Sequence, residues 1–142
     1  MERLSSSGML VARILLSSIF LFSGVKKIFA FSATQAYMAQ FGMKMTGLFL
    51  VLAILFEVGG GLSVLLGYFP RLGALALLLF LIPTTVVFHR DFANPAQVVQ
   101  FAKNVAVMGG LFAVLSAGGG EFVVRRKRRS ESKGTFLNFS EG

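Results

Sequence analysis

Four apolar runs, about Met9 to Phe31, Met45 to Leu66, Leu72 to Phe88 and Ala96 to Ala117, take up most of the chain. Each reaches the length of about 17 to 25 residues that a helix needs to cross a bilayer. Lipid offers no partner to a backbone N–H or C=O, so such runs become helices that satisfy their own hydrogen bonds. The 142 residues are 14% charged, with a mean hydropathy of +0.76, whereas a soluble domain is about 25% charged. The first run is not a signal peptide on this reading: no small-residue cleavage site follows it, and Lys26-Lys27 stands where one would be.

The connections are short. Ser32 to Lys44 is mixed, with Ser32 or Thr34 placed to cap a short helix and Gly42 to end it. Phe31, Tyr37 and Phe41 suit the interface. Gly67-Tyr68-Phe69-Pro70-Arg71 reads as a tight turn, making the second and third spans an antiparallel hairpin. Pro83 predicts a kink, with Thr84-Thr85 satisfying the freed carbonyl. Asn94-Pro95 starts the fourth span and Gly118-Gly119-Gly120 ends it. The expected fold is all-α, a membrane four-helix up-and-down bundle over residues 1–120. Residues 121–142 are expected to form a basic, disordered tail.

Composition excludes several chemistries. Without cysteine there are no disulfides, thiolate metal ligands or iron–sulfur clusters, and His89, the single histidine, cannot alone give a bis-histidine haem. No metal or intrinsic cofactor is expected. The net charge of +8 is concentrated: six of fourteen basic residues lie between Arg125 and Lys133. A basic run directly after a membrane helix faces anionic lipid, so membrane lipids rather than nucleic acid are the expected partner.

One residue breaks the apolar pattern. Glu57, followed by Val58-Gly59-Gly60-Gly61, stands in the middle of the second run. An unpaired charge there costs about 2.5 to 3.5 kcal/mol on insertion scales. Ala53, Glu57, Gly60, Gly61 and Val64 share one helix face, a small-residue pattern for close contact. Arg13, Ser17, Phe20, Gly24 and Lys27 share a face of the first span. In the fourth, Gln100, Lys103 and Asn104 form a polar patch above a stripe of Ala106, Gly110, Ala113 and Ala117.

Depth ranks the partners of Glu57. At about 1.5 Å per residue, Glu57 lies roughly 18 Å below the outer surface, Lys103 roughly 12 Å, and Arg13 about 6 Å from the opposite end. Lys27 lies near the outer end of its helix. Glu57–Lys103 is therefore the first-choice pair and Glu57–Arg13 the second, with a three-residue network also allowed. Arg13 has a plainer alternative, snorkelling to the headgroups. The expected buried polar network is Arg13, Glu57, Lys103 and Asn104; the candidate ligand-binding residues are Lys27, His89 and Gln100.

These residues resemble the DoxX family of small four-span membrane proteins. The resemblance rests on Arg13, Gly24 and Lys27; Tyr37 and Gly42; Glu57 to Gly61 with Leu66-Gly67 and Arg71; Phe88-His89; and Gln100-Phe101, Lys103-Asn104 and Gly109-Gly110. It covers about Leu10 to Gly120. The family takes its name from a quinol oxidase subunit, and some members resemble a quinone-linked oxidoreductase subunit. The resemblance thus implies a redox-associated membrane subunit with a quinone as its ligand and a redox protein as its partner; a second copy of the chain is the other expected partner.

Three functions compete. A quinone or lipidic ligand needs hydrogen-bond donors beside apolar walls, which Lys103, Asn104, Gln100 and His89 with the phenylalanines supply. Against it, the same side chains serve as glue between helices in a non-enzymatic scaffold or assembly subunit. A proton-coupled small transporter is third, because a basic partner would neutralise Glu57 permanently. No catalytic residue is assigned.

Orientation follows from basic residues. Arg3, Arg71 and the six of the tail make eight on one side; Lys26, Lys27, Lys44 and Arg90 make four on the other. The richer side faces the cytoplasm, so both termini are expected there, in the cell (inner) membrane. A phosphatase reporter fused after Gly142, active only outside, is expected to be silent; activity would reverse the orientation.

Overall fold

The computed structural model describes residues 2–124; the remainder of the expected basic tail, 125–142, lies outside the described residues. Five helices follow in order: α1 Glu2–Phe29, α2 Phe31–Gln40, α3 Thr46–Leu66, α4 Pro70–Phe88 and α5 Pro95–Ala117. Four of them, all but α2, are long and apolar enough to cross a membrane. No strand occurs among the described residues. The expected four-helix membrane bundle is therefore the architecture.

Helix α1 packs along α3, α3 against α4 and α4 against α5, and α5 returns to α1, closing the bundle. The short α2 rests on α3 and α1. The core is apolar, with Phe20, Val64, Ala74, Leu77, Leu78, Leu81, Val107, Leu111 and Val114 buried together. Large apolar side chains such as Leu15, Phe22, Leu55 and Leu79 point outward, as lipid-facing positions do.

Glycines set the spacing. A Cβ on Gly24 would meet Val58 Cγ2 at 2.7 Å and Glu57 Cβ at 3.3 Å. One on Gly60 would meet Leu77 Cγ at 2.7 Å. Gly60 thus admits α4, and Gly61, beside Leu21, admits α1. Gly59 faces open space. On α5 the expected small-residue stripe does not face inward. Asn104, Val107, Leu111 and Val114 are buried instead, while Ala106, Ala113 and Ala117 are exposed. Gly110 of the stripe lies against Leu16 of α1.

The ends largely match the sequence signals. Asn94 Oδ1 accepts from Ala96 N–H at 3.0 Å, capping α5. Gly67, with φ +69°, ends α3 in the left-handed region that favours glycine. Two expectations fail. Ser32 and Thr34 lie inside α2 rather than capping it: its N-cap is Ala30, with no side-chain cap hydrogen bond, and the Thr34 hydroxyl donates to Ala30 O at 2.8 Å. The hydroxyls of Thr84 and Thr85 donate to Phe80 O and Leu81 O, each at 2.7 Å, not to the Leu79 carbonyl that Pro83 leaves without its helical donor.

Arg13 is 1% exposed and neither snorkels nor meets Glu57. Its Nε donates to Val64 O at 2.8 Å and its Nη2 to Leu65 O at 2.7 Å. Its Nη1 donates to Gly119 O at 2.7 Å and Phe122 O at 2.6 Å. The guanidinium thus caps the carbonyl end of α3, where the helix dipole favours a cation. It also ties down the segment after α5, which continues packed past Gly120: Val124 N–H donates to Leu66 O at 3.0 Å. Gly67 leaves room for it, since a Cβ there would lie 2.6 Å from Arg13 Nη2.

Arg13→Met strands several carbonyls, each worth about 1 to 3 kcal/mol when left unpaired and buried. The expected loss is at least about 2 kcal/mol, read as a lower melting temperature in detergent. Arg13→Lys is expected to recover only part of it, because one ammonium cannot span the same carbonyls. Full recovery by lysine would show that charge alone matters.

Candidate functional site

Glu57 is 4% exposed and the partner of its carboxylate is Lys27 of α1. Lys27 Nζ donates to both carboxylate oxygens at 2.9 Å and to Ser23 Oγ at 2.7 Å. Ser23 Oγ in turn donates to Glu57 Oε1 at 3.0 Å. Ser23 and Lys27 are four residues apart, so one helix face presents both. Gly24, between them, brings α3 close enough for the lysine to reach.

This corrects both expected pairings. Lys103 is exposed on the outer side of α5, and Arg13 is committed to backbone carbonyls. The depth estimate failed because α1 is not level with α3 at the outer end. The first turns of α3 rise past α1 and pack on α2, where a Cβ on Gly47 would lie 3.0 Å from Gln35 Nε2. Lys27 therefore lies at the level of Glu57, beneath α2.

The other candidate residues separate. Asn104 is buried as expected, and its Nδ2 donates to Thr85 Oγ1 at 2.9 Å, joining α5 to α4. Gln100 is exposed. His89 Nδ1 lies 2.7 Å from Gln97 Oε1, which ties the end of α4 to the first turn of α5. Ser23 and Gln97 are the participants that sequence reasoning missed. The four-residue step from Lys27 marks Ser23; nothing in the sequence marks Gln97.

Beside the Lys27–Glu57 pair lies a cavity of about 490 Å³. Helices α2, α3 and α4 bound it. Lys27 and His89 of the expected ligand-binding residues line it, with Thr34, Tyr37 and Thr84 as further polar side chains. The rest of the wall is apolar, including Phe49, Phe56, Phe80 and Phe88. The rings of Tyr37, Phe41 and Phe88 pack together with centroids 4.8 to 5.8 Å apart, fastening α2 to the end of α4. Phe49, Leu52, Leu79 and Val87 line the cavity and are also exposed on the outside of the bundle. The cavity therefore opens sideways, toward lipid. Among the described residues no cluster of side chains could hold a metal ion.

The sequence profile of the DoxX family matches residues 8–90. The chain is 37% identical to the inner membrane protein YqjF of Escherichia coli K12, over 89% of this chain and 95% of that protein. It is 30% identical to the inner membrane protein YphA of the same organism, over 84% of this chain and 89% of that one. No solved structure matches significantly.

The pair predicts an asymmetric mutant cycle. Lys27→Met leaves an almost fully buried carboxylate uncompensated and is expected to cost about 3 kcal/mol. Glu57→Gln leaves a lysine whose side chain is 24% exposed, so the expected loss is smaller, about 1 kcal/mol. The double variant is expected to lose less than the sum of the two. Lys103→Met is expected to stay within about 0.5 kcal/mol of the parent. Thermal melts in detergent read all four; simple additivity would exclude the pair.

Proposed function

The chain belongs to the DoxX family of integral membrane proteins, and from that premise we propose that it binds a quinone-like or other lipidic ligand in the cavity between α2, α3 and α4. The cavity carries the reading. Its volume of about 490 Å³ falls in the range of about 300 to 1,000 Å³ typical of ligand sites. Its walls are phenylalanines and aliphatic side chains, with a few polar groups from Lys27, Tyr37 and His89. Such walls suit a flat or chain-like apolar molecule, and the polar groups fix its head. The lateral opening between α3 and α4 supports entry from the bilayer, with the ligand's tail left in lipid.

In this reading the protein acts in the inner membrane, where its named relatives are placed. The Lys27–Ser23–Glu57 group forms one edge of the site and holds α1 in place behind it. With no cysteine in the chain, a redox-associated role assigns electron exchange to the quinone-like ligand and an outside partner protein.

The reading predicts that protein purified in native lipid retains a lipidic species after extensive washing, identifiable by mass spectrometry of its extract. Leu52→Trp places a large ring at the opening and is expected to remove that species. Leu55→Trp, exposed on the same helix but away from the cavity, is expected to keep it. A parent protein that retains nothing and binds neither an added short-chain benzoquinone nor its hydroquinone would overturn the proposal.

A further inference from the structure

The polar side chains on the cavity wall belong to Lys27, Thr34, Tyr37, Thr84 and His89, and nearly all of their hydrogens are already committed. An ammonium has three hydrogens to donate and a hydroxyl one. Lys27 spends its three on Ser23 Oγ and the two oxygens of Glu57. Thr34 Oγ1 donates to Ala30 O at 2.8 Å and Thr84 Oγ1 to Phe80 O at 2.7 Å. His89 Nδ1 faces an acceptor, Gln97 Oε1, so in the neutral ring Nδ1 carries the hydrogen and Nε2 keeps a lone pair. Only the Tyr37 hydroxyl makes no hydrogen bond among the described residues.

Acceptors are in surplus. The threonine and tyrosine oxygens and His89 Nε2 all keep lone pairs. The backbone adds one more. Pro83 has no N–H, so the Leu79 carbonyl one turn earlier loses its helical donor. Both Leu79 and Pro83 line the cavity. The neighbouring threonine hydroxyls, which could have compensated, close on Phe80 O and Leu81 O.

We propose that the cavity selects a ligand whose head donates hydrogen bonds, a hydroxyl of the hydroquinone kind, over one whose head only accepts them, such as the carbonyl of the corresponding quinone. The inference rests on the reading of the cavity as a lipidic site and names the form of ligand that site holds. An accepting head set against accepting walls leaves both sides desolvated and unpaired, while a donating head satisfies both. Sites built around a substrate O–H discriminate strongly on this basis. Selection of the reduced form raises the midpoint potential of the bound couple, by about 30 mV for each tenfold preference.

The test uses the purified full chain in nanodiscs of phosphatidylethanolamine and phosphatidylglycerol. Three probes share one decyl tail: a benzoquinone, its hydroquinone kept reduced, and the dimethyl ether of that hydroquinone, which has no O–H. The hydroquinone is expected to bind at least about tenfold tighter than either of the others. Pro83→Ala returns an N–H to the Leu79 carbonyl and is expected to narrow the preference. Tyr37→Phe removes the one uncommitted donor; it is expected to weaken the quinone further and to leave hydroquinone affinity within about twofold, since the remaining acceptors are untouched. Quinone or ether binding as tight as hydroquinone overturns the proposal and leaves the cavity a lipidic site. Failure of all three probes to bind overturns the reading of the cavity, and this proposal with it.

Discussion

The bundle is organised around an ion pair at membrane depth. Neither Glu57 nor Lys27 is tolerable there alone, because the hydrocarbon layer supplies no solvation. Together they are complete: both carboxylate oxygens receive hydrogens, and the ammonium has an acceptor for each of its own. That completeness depends on backbone approach. A side chain at Gly24 would push Val58 away, and α1 would withdraw from α3 with Lys27 on it. The glycines and the ion pair are one device, since close approach brings the charges together and the charges fix the register of the approach.

The second cation of α1 works at the other end of α3, and the two cannot be exchanged. Arg13 meets carbonyls that diverge from two segments, the end of α3 and the residues after α5. A planar guanidinium with donors spread around its rim fits that demand. Lys27 meets one compact carboxylate and one hydroxyl, which suits the three hydrogens of an ammonium. Held at both ends, α1 and α3 form the rigid half of the bundle. Helix α2 and α4, with Pro83 inside it, complete the cavity on the other side.

Much of this was legible in the sequence, for physical reasons that differ by element. The faces of α1 and α3 could be read because polar and small residues recur at helical spacing in an otherwise apolar background: Arg13, Ser17, Phe20 and Gly24 are all buried, as are Ala53, Glu57, Gly60, Gly61 and Val64. The turn at Gly67 and the cap at Asn94 were legible from local backbone chemistry. The face of α5 was not. In lipid, core-facing and lipid-facing positions are both apolar, so Ala106 and Ala113 look no different from Val107 and Leu111 until the helix is packed. The partner of Glu57 was missed for a geometric reason. Depth counted from helix ends assumes that all helices end at one level, and here α2 covers the end of α1 while α3 climbs past it. The cavity itself is a product of that offset, and no run of residues announces it.

The same offset bears on which side of the ion pair any function uses. A carboxylate that trades protons for a cation must be released by its basic partner. Release here means separating Lys27 from Glu57, and therefore α1 from α3, against the glycine contacts at Gly24 and Gly61 and the Arg13 cap. The α2 side is softer. That helix has ten residues, and Met38 is its only buried residue; the Tyr37–Phe41–Phe88 ring cluster fastens it to the end of α4. Its contacts with α3 are far fewer than those of α1. The resistance to motion thus lies around the charges and the compliance around the apolar cavity. That distribution favours a bundle that admits a ligand beside a fixed ion pair over one that moves the ion pair to carry something across.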